Sequence, residues 1–167
     1  MKRNVQAALL SIALAAATAL PARAGDGWLR YTEPRTGAVA GVPLAVFEPE
    51  PFANDLGVVF EDPSGEIQME VFGWENPDGS SLQAFARDIR RETANEKEFT
   101  YERVGKTFFV QSGFLQGATR PTVFYERTER SRDNRRMVTM RLIYPVARRA
   151  AIDPWIREIG NRLIRPR

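Results

Sequence analysis

The sequence predicts an α+β fold in which a single antiparallel β-sheet carries helices packed on its faces, an α/β/α sandwich. Several short runs alternate apolar and polar residues with period two and are joined by turn-forming residues. Two segments carry apolar stripes at helical spacing, and the order is hairpin strands, helix, a run of strands, helix. Strands joined by tight turns pair antiparallel, and each amphipathic helix must cover apolar sheet surface.

Trp28 to Thr32 reads as a short extended lead-in, Glu33-Pro34-Arg35-Thr36-Gly37 as a turn, and Ala38 to Val42 as a weak strand closed by Pro43. Pro49 and Pro51 keep the next stretch irregular. Leu56 to Phe60 is a strand, Glu61 to Gly65 a solvated turn, and Glu66 to Trp74 the partner strand. In that partner Ile67, Met69 and Val71 alternate with Gln68, Glu70 and Phe72, which places Glu66 and Glu70 on an outward face. After the break at Asn76-Pro77-Asp78-Gly79, Ser80 with Gln83 makes a capping box. The helix it opens carries Leu82, Phe85, Ala86, Ile89 and Thr93 on one stripe, turns Arg87, Arg90 and Arg91 to water, and runs to about Ala94.

Phe99 to Val104 and Thr107 to Ser112 form a hairpin about Gly105-Lys106, with Phe108 and Phe109 on opposite faces. Thr122 to Thr128 and Arg135 to Tyr144 form another about the charged loop Glu129 to Asn134. The closing helix is expected to begin with Asp153 as N-cap and Pro154 as first helical residue. Trp155, Ile156, Ile159 and Leu163 give its apolar face, and Arg162, Arg165 and Arg167 lie at its C-terminal end, where the helix dipole favours cations.

Ahead of these elements, Lys2 and Arg3 precede an uncharged Ala/Leu-rich run from Val5 to Leu20, and Pro21-Ala22-Arg23-Ala24 ends in a small-x-small site. This pattern predicts a secretory signal peptide over residues 1–24, cleaved after Ala24, and a single α+β domain over residues 25–167. The run is shorter than the roughly 20 apolar residues that span a membrane, and no later segment resembles a span. The expected address is the periplasm, or the medium, of a bacterium.

Cleavage removes three of the 24 basic residues and none of the 21 acidic ones, so the mature chain has no net charge. Its charge is unevenly laid out. Residues 25–100 hold 6 basic and 15 acidic side chains, net −9, whereas residues 101–167 hold 15 basic and 6 acidic, net +9. Such halves complement one another within a fold, or leave a basic face for an acidic partner. Compartment and the lack of a recognised motif argue against nucleic acid.

The absence of both His and Cys excludes imidazole and thiolate triads, His/Cys zinc sites, disulfides and lipidation of an N-terminal cysteine. No nucleophile elbow, Walker A loop, dinucleotide glycine pattern or EF-hand spacing occurs: Ser112 in Val110-Gln111-Ser112-Gly113 lacks the first glycine of an elbow. Glu48/Glu50, Glu61/Asp62 and Glu66/Glu70 are the carboxylate pairs left for acid/base work, and nothing in their spacing fixes the separation a hydrolase needs. No cofactor or metal is implied.

The sequence singles out two clusters. Arg127, Arg130, Arg132, Arg135 and Arg136 surround a hairpin loop that also holds Glu126, Glu129 and Asp133. They form either a self-paired, soluble hairpin tip or a docking surface for an anionic partner, since the guanidinium fork suits carboxylate and phosphate. Trp28, Tyr31, Phe72, Trp74, Phe108, Phe109, Phe114, Phe124, Tyr125, Tyr144 and Trp155 either fill the core or line an apolar cavity for a small hydrophobe.

Trp28-x-x-Tyr31, Val42-Pro43, the hairpin from Gly65-Glu66 to Phe72, Phe109-Val110-Gln111-Ser112-Gly113, Val123-Phe124-Tyr125-Glu126, and Leu142-Ile143-Tyr144-Pro145 followed by Ile152-Asp153-Pro154 form a recognisable series. In these the chain resembles small exported proteins of alphaproteobacteria that carry no assigned function. More distantly, its order of elements is similar to that of the PsbP/DcrB-like superfamily. That resemblance implies an α/β/α sandwich acting as an accessory or assembly factor. The expected function is therefore a non-catalytic binding or accessory protein of the bacterial cell envelope, with an envelope protein or anionic surface as partner. The alternatives are a periplasmic carrier of a small hydrophobic or anionic ligand and, behind it, a carboxylate-based hydrolase.

Overall fold

The alternating run after the Gly65 turn becomes strand β6 (Gln68–Glu75), at the middle of the molecule. The structure is a computed structural model that describes residues 27–166 and the backbone of Ala22 and Arg23. Apart from that pair, the expected signal peptide lies outside the described residues.

The strands that precede β6 are β1 (Ala22–Arg23), β2 (Trp28–Thr32), β3 (Val39–Pro43), β4 (Phe52–Ala53) and β5 (Val58–Glu61). After it come helix α1 (Leu82–Glu92), then β7 (Lys97–Val104), β8 (Phe108–Leu115), β9 (Thr122–Arg130) and β10 (Arg136–Pro145). A 3₁₀ turn (Val146–Arg148) leads into α2 (Arg149–Asn161).

Seven strands form an antiparallel sheet in the order β4-β5-β6-β10-β9-β8-β7. Helix α1 carries the chain from β6 in its interior to β7 at its edge, and the β7-to-β10 meander returns to pair with β6. The expected single sheet is corrected here: β1, β2 and β3 form a second, three-stranded sheet. The β2–β3 hairpin does not join the large sheet because its apolar side chains are needed as a lid. Leu29, Ala38, Ala40 and Val42 are buried together with Met69, Val71, Val138, Met140 and Leu142 of the large sheet and with Ile152 and Ile159 of α2. Trp28 meets Trp155 edge-on at 5.8 Å, and Ile164 bridges to Val39, tying the C-terminal segment to the small sheet.

The opposite face is covered by α1, whose Leu82 and Ala86 pack on Phe109 and Met137, with Trp74, Phe85 and Ile89 around them. Phe108 and Phe109 do point to opposite faces. Phe109 lies under α1, and Phe108 lies against the Arg127 guanidinium, 4.1 Å from its ring centre. Each fully buried Phe, Met or Leu of this double-sided core contributes about 1.5–3 kcal/mol relative to exposure.

Three local expectations shift. Ser81, not Ser80, caps α1, its hydroxyl accepting from Ala84 N at 3.2 Å. Ser80 is held one residue back in the loop by Asn76, whose amide accepts from Ser80 N and donates to Ser80 O. Helix α2 begins at Arg149, so Pro154 sits inside it and Asp153 is no cap: its carboxylate takes Tyr144 Oη at 3.2 Å and Arg149 Nε at 3.0 Å. Asp62 is buried, not solvated, and accepts from Glu66 N, Ile67 N, the Ser64 hydroxyl and Arg148.

Candidate functional site: a cleft between the second helix and the sheet

Strand residues of alternate parity lie on opposite sheet faces. On the face that carries α2, β9 presents Val123, Tyr125 and Arg127, and β8 presents Val110, Ser112 and Phe114, which are register partners of the β9 residues. Helix α2 lies over β10 and against the small sheet, leaving the β8 and β7 end of this face without a helix above it. The result is a cleft of about 550 Å³. Ser112, Phe114, Val123 and Tyr125 form its floor, Thr100 its outer rim, and Arg149, Asp153, Ile156 and Arg157 its helical wall. These helix positions recur at i, i+4, i+7 and i+8, one face of a helix.

The chemistry of the lining is mixed. Phe114 is 38% exposed, which is unusual for a phenylalanine in a sheet and marks an open apolar floor. Burial pushes the Tyr144 and Tyr125 hydroxyls up from their ordinary value, with the Asp153 charge adding to the effect at Tyr144, so both stay protonated at neutral pH. Asp153 is satisfied by Tyr144 and Arg149, whereas no ion-pair partner is found for the exposed Arg157 among the described residues. Arg149, Asp153 and Arg157 together leave the wall with one uncompensated positive charge.

The other face bears a row of polar groups in direct register across five strands, Glu70 (β6), Arg141 (β10), Glu126 (β9), Gln111 (β8) and Glu102 (β7), of which Glu70, Glu126 and Gln111 are buried. Arg141 bridges Glu70 and Glu126, and Lys97 Nζ donates to Glu126 at 2.7 Å with both side chains at least nine-tenths buried. Gln111 donates to Glu102 at 2.8 Å and to Ala86 O of α1 at 2.9 Å, which anchors that helix. Burial pushes the Lys97 ammonium down, and the Glu126 charge opposes this. Glu70 is thus not on an outward face. The alternating polar residues of β6 mark an ion-paired interior face.

Each buried carboxylate among the described residues is bound in this way. Glu33 accepts from Thr36 N and Oγ1, and Glu129 holds Arg127 at 2.6 Å. The pairs singled out in the sequence form no convergent acid/base site: Glu61 accepts from Gln68, Asp62 and Glu66 share Arg148, and Glu66 and Glu70 lie in separate networks. Among the described residues no group of three or more carboxylate, His or Cys side chains could hold a metal ion.

The five arginines of the hairpin loop do not converge. Arg127 is drawn onto the α2 side by Glu129 and Phe108. Arg130 donates to Lys106 O across the β7–β8 turn, and Arg135 to Pro77 O. Arg132 is exposed at the tip, and Arg136 is half-buried, its N–H donating to Ser131 Oγ. The tip itself is rigidly stapled to the β6–α1 loop, since Asn134 donates to Gly79 O and Ser80 O, and Asn76 to Asn134 O.

The sequence does not single out the cleft. A helix start at Asp153 leaves Arg149 outside the helix and hides the common face of Arg149, Asp153, Ile156 and Arg157. Starting the helix at the end of β10 exposes that pattern.

No protein-family model matches the chain, and no curated protein matches it in sequence. Among solved structures it is similar to the solution structure of cyanobacterial PsbP (CyanoP) from Synechocystis sp. PCC 6803. The TM-score is 0.57 at 13% identity, over 84% of this chain and 95% of the other. At that identity the likeness speaks to architecture alone, and it agrees with the element order described above: the chain has a PsbP-like α+β fold.

Proposed function

We propose that this chain is an exported, non-catalytic binding protein of the bacterial cell envelope that holds a small ligand in the cleft between α2 and the sheet. The observation that carries the reading is the contrast between the two faces. On the α1 side the buried charges are consumed by one another, whereas the cleft keeps the exposed Arg157 guanidinium beside an exposed aromatic floor. A catalytic pair needs carboxylates free to change protonation, and the buried ones are held by cations or backbone N–H groups. The basic, apolar, small-residue order of the N-terminus supports export. No helix among the described residues is long and apolar enough to cross a membrane. On this reading its kin are small exported proteins of alphaproteobacteria, a resemblance that rests on its packing residues alone.

A second reading rests on the stapled hairpin tip. Arg130, Arg132, Arg135 and Arg136 sit at or beside a loop whose backbone is fixed by Asn76 and Asn134, a rigid mount for docking an anionic partner. Arg127, the other member of the sequence cluster, faces away from it.

Native mass spectrometry of the chain isolated gently from its own periplasm separates the two. A stoichiometric added mass of a few hundred daltons is the expected result. A protein-sized addition that is lost on raising salt, and lost in the triple variant Arg132→Ala, Arg135→Ala, Arg136→Ala, would favour the tip. A bare monomer, also after mixing with envelope extract at low salt, would contradict both.

A further inference from the structure

The cleft's own groups specify the class of ligand. Its wall carries one positive charge beyond what its own carboxylate neutralises, and that charge resides on Arg157, exposed and without an ion-pair partner among the described residues. One uncompensated guanidinium matches one anionic group, and its planar fork matches a carboxylate. Beside it the cleft turns apolar. Ile156 precedes Arg157 in the wall, and Val123 and Phe114 are neighbours on the floor, where they form a cross-strand pair. Phe114 is 38% exposed and has no helix above it. Its ring gains most from contact with a hydrocarbon, at about 25 cal/mol for each Å² withdrawn from water.

The polar groups of the floor are hydroxyls. Ser112 and Tyr125 stand opposite one another as register partners on the same face, and the Tyr125 hydroxyl also meets Arg127. A hydroxyl can donate to an anion but does not itself neutralise a charge, so these groups orient a head group without adding to the charge count. At about 550 Å³ the space falls inside the range of roughly 300–1,000 Å³ typical of small-molecule seats, and it is open to solvent, so a chain longer than the cleft can trail out of it.

We propose that the cleft binds a free monocarboxylate with an apolar body, its head group at Arg157 and its body against Phe114, Val123 and Ile156. This deepens the binding-protein reading and rests on it. The proposal makes the protein a holder of amphipathic acids, with a neutral amphiphile or a dianion disfavoured: the first leaves the guanidinium unpaired, and the second brings one negative charge too many.

The test is calorimetric titration of the purified chain, stripped of bound lipid, with dodecanoate, dodecanol and acetate. Dodecanoate should bind at one site per chain, dodecanol about tenfold more weakly, and acetate too weakly to measure, because neither the charge nor the body suffices alone. Arg157→Gln, at an exposed position that leaves the core untouched, should weaken dodecanoate by about tenfold and leave dodecanol unchanged. Phe114→Ala should weaken both probes alike. Equal affinity for dodecanoate and dodecanol, an Arg157→Gln variant that binds dodecanoate like the parent, or no dodecanoate binding at all would overturn the proposal. So would co-sedimentation with phosphatidylglycerol vesicles in place of uptake of the free acid, which would assign the guanidinium to a lipid headgroup. A neutral molecule found on the chain isolated from its own cells would overturn the anionic assignment while leaving the binding-protein reading in place. A chain isolated bare would count against that reading instead.

Discussion

Lys97 shows at the scale of one residue how the interior face is held together. Its ammonium lies 2.7 Å from Glu126 and 5.0 Å from the centre of the Phe124 ring, and it is 6% exposed. Desolvating an ammonium is unfavourable, so burial lowers its affinity for the proton, and Glu126 restores part of it. Because the folded state binds this proton less tightly than the unfolded chain, the contribution of Lys97 to stability rises with pH toward the ordinary lysine value. Lys97→Met removes one partner of a buried pair. Glu126 keeps Arg141, so the cost falls at the low end of the usual range, about 3 kcal/mol, read from urea unfolding at neutral pH. A loss below about 1 kcal/mol would show that the pair contributes little. A close approach at Gly113 supports the same region: a Cβ there would lie 1.8 Å from Glu98 O, where the β7–β8 register shifts between Phe99 and Tyr101. Glycine alone lets the irregular edge strand stay this close, and it was not legible in the sequence because the constraint comes from a neighbouring strand.

At the scale of elements, the β5–β6 turn and the 3₁₀ turn before α2 are joined by one clamp. Arg148 donates to Asp62 at 2.9 Å and to Glu66 at 2.7 Å, and Arg120 reaches Glu66 from the β8–β9 loop. Burial pushes the Asp62 carboxyl up, yet the hydrogen bonds from Ile67 N, the Ser64 hydroxyl and Glu66 N, with the Arg148 charge, outweigh it and hold the group below its ordinary value. A carboxylate with a lowered folded-state pKa adds stability that is present above the unfolded-state value and lost as pH falls through the folded one. The expected outcome is a parent protein that loses stability steadily below about pH 4. Asp62→Asn should start about 1–2 kcal/mol less stable at pH 7 and show a shallower acid dependence. Parallel pH profiles for parent and variant would refute the clamp.

The same contacts explain which elements the sequence revealed. The α1 stripe of Leu82, Phe85, Ala86 and Ile89 and the β6, β8, β9 and β10 alternation are local patterns, and the structure has them. The start of α2 is not local: Arg148 is placed by Asp62 and Glu66, and Asp153 is taken by Tyr144, so a good capping sequence at Asp153-Pro154 is overridden. The Ser80 cap fails for the same reason, since Asn76 claims that residue. Glu70 looked outward because alternation reveals which residues share a face and not what covers it.

At the scale of the whole molecule, the opposed charges of the two sequence halves meet inside the fold. Arg141–Glu70, Arg148–Asp62 and Arg120–Glu66 each join an acidic residue before position 100 to a basic one after it, while Lys97–Glu126 pairs the minority charges of the two halves. Intramolecular complementarity therefore absorbs part of the asymmetry, and the exposed basic groups of the hairpin tip and of the cleft wall lie in separate places. That separation makes the central claim directly testable by chemical-shift mapping. Amide resonances of the ¹⁵N-labelled chain would be followed while dodecanoate is added. The account predicts perturbations confined to Ser112, Gly113, Phe114, Val123, Tyr125 and the α2 segment Asp153 to Arg157, with the 131–136 loop unmoved. Perturbations centred on Arg132 and Arg135, with the cleft silent, would contradict it.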